Sequence, residues 1–79
     1  MQSNQNQITP LSNIETGRKV LIDTIQGSHN ITRRLAAMGI LPHAELEVVR
    51  NGHPGPFIVR VRGTRVALGR GVAHKIMVR

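Results

Sequence analysis

The sequence predicts a small, mainly β domain: five short strands bent into a barrel, with one α-helix and short helical turns. Three observations carry this. Between Ile31 and Leu68 the apolar period switches from about 3.6 residues to about 2, the change from helix to strand. The extended runs that follow are short and broken by Gly and Pro turns. Finally, 79 residues without a cysteine allow one thin-cored domain. Five short strands in that length cannot form a two-sheet sandwich, whereas a strongly bent barrel hides its edges.

Taken in order, residues 1–7 (MQSNQNQ) offer no apolar group beyond Met1 and are expected to be a disordered tail, leaving 8–79 as the domain. Ile8 to Ile14 can make one helical turn after Pro10, a residue tolerated at a helix start. Gly17 opens the first strand, RKVLIDTIQ; Val20, Leu21, Ile22 and Ile25 give it aliphatic content and Gly27 ends it. Ser28 or Asn30 then caps the helix by accepting from an orphan backbone N–H. Ile31, Leu35 and Met38 form one apolar stripe, with Arg33 and Arg34 off it. Gly39 is placed as the left-handed residue of a Schellman stop, with Ile40 packing on Leu35, and Pro42 prevents continuation.

Beyond Pro42 the pattern is extended. In ELEVVR, Leu46 and Val48 point one way and Glu45 and Glu47 the other. NGHPGP is a loop. In FIVRVR, Phe57, Val59 and Val61 face inward while Ile58, Arg60 and Arg62 face out. A turn around Gly63 leads to TRVAL, with Val66 and Leu68 inward. GRGVAH is irregular or a single helical turn, and KIMVR is the last strand, with Ile76 and Val78 inward and Met77 outward. The expected core is Leu35, Met38, Leu46, Val48, Phe57, Val59, Val61, Val66, Leu68, Ile76 and Val78.

Charge is the second strong feature. Eleven Lys and Arg against four Asp and Glu give a net +7. Such a surface favours acidic proteins, nucleic acid or an anionic membrane face. No run approaches the ~18 apolar residues of a membrane span. The polar N-terminus lacks the apolar region of a secretory signal, so a cytoplasmic location is expected.

Catalytic groups are sparse. Asp23, Glu15, Glu45 and Glu47 are the only carboxylates, and Ser12 and Ser28 have no evident His–acid constellation. Gly69-Arg70-Gly71 has neither the Lys-Ser/Thr nor the spacing of a phosphate loop. His29, His43, His53 and His74 are scattered, without the two-His-plus-carboxylate set that suits ferrous ion. No cofactor and no metal site are expected. Arg60, Arg62 and Arg65 could meet phosphates, but barrels that bind single strands use aromatic stacking platforms, and the one aromatic, Phe57, points inward. Recognition of proline peptides needs an aromatic-lined groove and fails for the same reason. What remains is protein docking. Arg33, Arg34, Arg60 and Arg62 would meet acidic patches, and Leu41, Ile58 and Met77 would supply apolar contact.

Leu11-Ser12 with Gly17, then Arg34-Leu35 followed by Met38-Gly39-Ile40 and Pro42, then Phe57 to Leu68 and the closing Ala73, Ile76 and Val78 together resemble a known family. It is that of the small SH3-like domains of ferrous iron transport protein A (FeoA), over residues 8–79. His43 stands where many members carry Gly. The resemblance implies a bacterial cytoplasmic accessory protein of ferrous iron uptake. It would bind or regulate the G-protein part of the membrane transporter, ferrous iron transport protein B, and reach the membrane only through that partner. The same barrel occurs in iron-dependent repressors, but no helix-turn-helix precedes it in this sequence. A basic nucleic-acid-binding barrel is the alternative, homo-oligomerisation is left open, and no single Arg is marked as a stimulator of GTP hydrolysis.

Overall fold

The computed structural model describes residues 7–52 and 54–79. The tail expected over 1–7 falls, apart from Gln7, outside the described residues, as does His53. Six antiparallel strands are present: β1 (Thr9–Pro10), β2 (Lys19–Ile25), β3 (Glu45–Arg50), β4 (Phe57–Val61), β5 (Thr64–Leu68) and β6 (Ile76–Val78). Two helices, α1 (His29–Ala37) and α2 (Arg70–Lys75), and a 3₁₀ turn (Leu11–Asn13) complete the mainly β fold. The sixth strand, β1, was not expected. It is two residues long and lies at the sheet edge, where Pro10 withholds no ladder donor the sheet needs. The helical turn expected after Pro10 is the 3₁₀ turn that follows it.

The sheet runs in the order β1-β6-β2-β3-β4-β5. β2 belongs to both halves. Lys19 to Leu21 pair with β3, and Ile22 to Ile25 pair with β6 across an irregularity between Ile22 and Thr24. That irregularity bends the sheet on itself. β1 and β5 are not hydrogen-bonded to each other among the described residues. α2, which follows β5, packs on β1 and the 3₁₀ turn and spans the gap.

One core fills the bend. Phe57, Leu11, Ile22, Ile40, Leu46 and Ile76 are its largest fully buried side chains, joined by Leu35, Val48, Val59, Val61, Leu68 and Val78. Val66 is half-buried and packs against it. Met38, expected in the core, is instead 41% exposed. It is the C-cap of α1, with φ −96° and ψ 3°, so it has left the helical path that would continue the Ile31–Leu35 stripe. The core also takes in Leu11, Ile14, Ile40 and Ala73 from the turns and the short helix, and Val20 and Ile22 from β2.

The caps of α1 follow the sequence. The Ser28 hydroxyl accepts from the Ile31 N–H at 3.3 Å. Gly39, at φ +90°, donates to the Ala36 carbonyl, and the Ile40 N–H donates to that of Leu35, both at 2.9 Å: the two bonds of a Schellman stop. Two non-glycine residues also have positive φ. His43, at +75°, turns the chain so that its N–H reaches the Ile22 carbonyl at 2.7 Å. Arg62, at +54°, forms with Gly63 (+79°) a two-residue hairpin turn of the primed type between β4 and β5. Arg62 therefore lies in the turn, where the alternation had placed it at the end of a strand.

Two outcomes are expected. Phe57→Ala should cost about 3–5 kcal/mol, a large share of the ~5–15 kcal/mol typical of a whole domain; thermal melting checks this, and an unchanged midpoint would contradict the packing. Gly39→Val should destabilise by about 1–2 kcal/mol and Gly39→Asn by less, whereas His43→Gly should stabilise by up to about 1 kcal/mol. Urea midpoints of the three variants decide the order.

Candidate functional site

The basic residues singled out from sequence fall into two groups. Arg60 is committed. It sits opposite Glu47 across β3 and β4 and donates from Nη1 to Glu47 Oε1 at 2.9 Å. Arg79 is similarly held 3.5 Å from Asp23. Arg33, Arg34, Arg62 and Arg65 are exposed, and among the described residues they make no ion pair. Arg33 and Arg34 lie on α1, with Arg34 in its last turn where a cation suits the helix dipole. Arg62 and Arg65 lie on the β4–β5 hairpin. The hairpin reaches the end of α1: a Cβ placed on Gly39 would come within 2.8 Å of Arg62 Cδ, so the Arg62 stem lies over the helix stop.

The apolar candidates divide differently. Leu41 is 44% exposed and shares a shallow recess with Gly39, Ala44, Glu45 and Arg62. Ile58 and Met77, expected to be exposed, are half-buried. Both sit on interior strands, with β3 and β5 flanking Ile58 and β1 and β2 flanking Met77. Outward direction does not give full exposure when both neighbouring strands crowd the position. The structure thus brings Arg62 and Leu41 together, places Arg34 beside exposed Met38, and joins neither Ile58 nor Met77 to them.

A polar clasp, not apparent from the sequence, ties the turns together elsewhere in the fold. Asn51 Nδ2 donates to the carbonyls of Ser12 (3.1 Å) and Ile14 (2.7 Å), and the Asn51 N–H donates to Thr16 Oγ1 at 2.9 Å. Arg70 donates to Asn51 Oδ1 at 2.8 Å and to the Gly52 carbonyl at 2.6 Å, with its guanidinium 5.8 Å above the Phe57 ring. Loop, 3₁₀ turn and α2 are therefore joined through two side chains. The only sequence signal was that Asn and Arg were available in turn segments; their partners lie too far along the chain to be inferred.

Ser12 Oγ and His74 Nδ1 share a hydrogen bond of 3.1 Å, a pairing the sequence did not suggest. No carboxylate hydrogen-bonds to His74 among the described residues, so the pair lacks the orienting acid of a nucleophilic triad. His29 and His43 are exposed and separate. Among the described residues no three His, Asp or Glu side chains are grouped to hold a metal ion. No described helix is long and apolar enough to cross a membrane.

Comparison with known proteins gives a consistent picture. Residues 9–79 match the model of the FeoA domain. A protein of Methanocaldococcus jannaschii, named as an Fe(2+) transport protein A, is 39% identical over 69 residues, which is 87% of this chain and 83% of that protein. The crystal structure of an iron uptake regulatory protein, FeoA, superposes with a TM-score of 0.83 at 38% identity, covering 92% of this chain and 96% of that one. Stenotrophomonas maltophilia FeoA complexed with zinc, described as an SH3 domain protein, superposes with a TM-score of 0.78 at 29% identity, covering 90% and 89% of the two chains.

The clasp generates its own expectation. Asn51→Ala would leave the Ser12 and Ile14 carbonyls without their donor and take one of the two acceptors from Arg70, at a cost of about 1–3 kcal/mol. Denaturant unfolding measures this. A loss below the error of the method would mean that water replaces the Asn51 amide without penalty.

Proposed function

The chain belongs to the FeoA domain family, and we propose that it serves ferrous iron transport as a non-enzymatic accessory protein, docking from the cytoplasm on the G-protein part of the membrane transporter, ferrous iron transport protein B. The observation that carries this reading is the unpaired Arg33, Arg34, Arg62 and Arg65 along α1 and the adjoining hairpin, next to exposed Met38 and Leu41. Cations that no carboxylate of the same chain neutralises are available to an acidic partner surface. The S. maltophilia relative is described as a possible ferrous iron transport activating factor, which agrees with such a role. In the SH3-like barrel of this chain Phe57 is fully buried, so it offers no aromatic platform for nucleic-acid bases. Of the apolar residues expected at the contact, Leu41 fits best; Ile58 and Met77 would contribute only through their uncovered rims.

The test uses the transporter's isolated cytoplasmic domain. Reversing Arg33 and Arg34 to Glu should slow association by about tenfold at low salt and flatten its salt dependence, with little change in the dissociation rate. Both residues lie off the buried face of α1, so the protein should stay folded, with only the small drop in melting midpoint expected from an anion in the helix's last turn. Reversal of Arg62 and Arg65 probes the hairpin in the same way. Unchanged association kinetics in both double variants would overturn the electrostatic docking reading.

A further inference from the structure

Met38 does not stand alone on the surface. It lies in a groove between α1 and β5. At one end of the groove, Ile31, Leu35 and Leu68 line a recess of about 210 Å³. At the other end Ala37, Val66 and Arg65 line a second one. Met38 lines both, so the two recesses adjoin.

The β5 wall of this groove is a sheet edge. Its pairing with β4 starts at Val61 with Thr64 beside the two-residue turn and runs to Phe57 with Leu68. In such a hairpin the pair next to the turn exchanges both hydrogen bonds, and every second pair after it does the same. Thr64, Val66 and Leu68 therefore direct their N–H and C=O groups to β4, and Arg65 and Ala67 direct theirs away. Both residues are exposed, and neither backbone has another hydrogen-bond partner among the described residues. An open edge beside an apolar groove is the arrangement that accepts an added strand.

Charge selects the strand. Arg34, Arg62 and Arg65 line the groove, and no Asp or Glu does. A second copy of this chain would bring the same cations and a net +7 against +7, which opposes self-pairing. We propose that the groove takes an extended acidic segment of a protein partner, which adds a strand to β5, seats alternate apolar side chains over Met38 and Leu68, and turns its carboxylates to Arg34 and Arg65. This deepens the docking reading and rests on it only for the partner's identity.

The experiment titrates the ¹⁵N-labelled full chain with a synthetic octapeptide of alternating glutamate and valine, and separately with its lysine–valine counterpart. The acidic peptide should shift the Arg65 and Ala67 amides and slow their hydrogen exchange, and the basic one should leave them unmoved. Ala67→Pro removes one outward donor where an edge strand tolerates proline, and should weaken the acidic peptide about fivefold to tenfold, roughly the worth of one hydrogen bond. Shifts confined to other residues, or equal binding of the two peptides, overturn the proposal. So do shifts at Arg65 and Ala67 that grow with protein concentration alone, which would assign the edge to a second copy. A parallel titration with the transporter's cytoplasmic domain separates the two readings. If that domain binds and perturbs other residues while the acidic peptide leaves Arg65 and Ala67 unmoved, the groove proposal fails and docking stands. If the peptide fills the groove and the domain does not bind, docking on that partner fails and the groove stands.

Discussion

The structure depends on one strand serving two half-sheets. β2 hands its hydrogen bonds from β3 to β6 part-way along its length, and the irregularity between Ile22 and Thr24 makes the hand-over. Without it, six short strands would lie in an open sheet with one bare apolar face. With it, Val20 and Ile22 on β2 face Phe57, Val59 and Val61 on β4 and Ile76 and Val78 on β6 in a single core. The same bend sets the strand order, and the strand order leaves β5 without an outer neighbour. The surface that is open to a partner is thus a result of how the core was closed.

The clasp and the α1–β5 groove are built by different physics. On the clasp side, Asn51 and Arg70 satisfy turn carbonyls that have no ladder partner, and Arg70 covers the Phe57 ring. Such a network stiffens segments that lack regular hydrogen bonding. On the α1–β5 side, the polar groups are unpaired cations and a free strand edge. A rigid frame beside an unsatisfied face lowers the ordering cost of association. That division is what the docking role proposed for this FeoA-family chain would draw on.

Much of this was legible in the sequence, and what was not has identifiable causes. The α1 caps could be read because Ser28, Gly39 and Pro42 act locally. The inward residues of β3, β4 and β6 could be read because alternation depends only on the pleat. Met38 was misplaced because the apolar stripe continues one residue past the point where the helical dihedrals stop. Arg62 continued the alternation into what is in fact a turn. Ile58 and Met77 were assigned the correct face, but the cover supplied by flanking strands depends on strand order, which alternation does not encode. The left-handed turn at His43 was not anticipated, because a lone His before Ala44 carries none of the usual turn signals. Asn51 gave no local signal, because its importance arises from carbonyls brought to it by the fold.

The clasp also bears on the order in which the chain assembles. Asn51 is separated from Ser12 and Ile14 by 39 and 37 positions, while the β4–β5 hairpin closes over two residues. Short-range closures form readily, and contacts between distant segments wait until the intervening chain is organised. The hairpin is therefore an early element and the clasp a late one, sealing the N-terminal turn onto a barrel already bent. An interaction made after the rate-limiting step leaves the folding rate almost untouched and slows escape from the native state. On this reading Asn51 and Arg70 would confer residence time in the folded form rather than speed in reaching it, and the chevron of Asn51→Ala would show it as a faster unfolding limb.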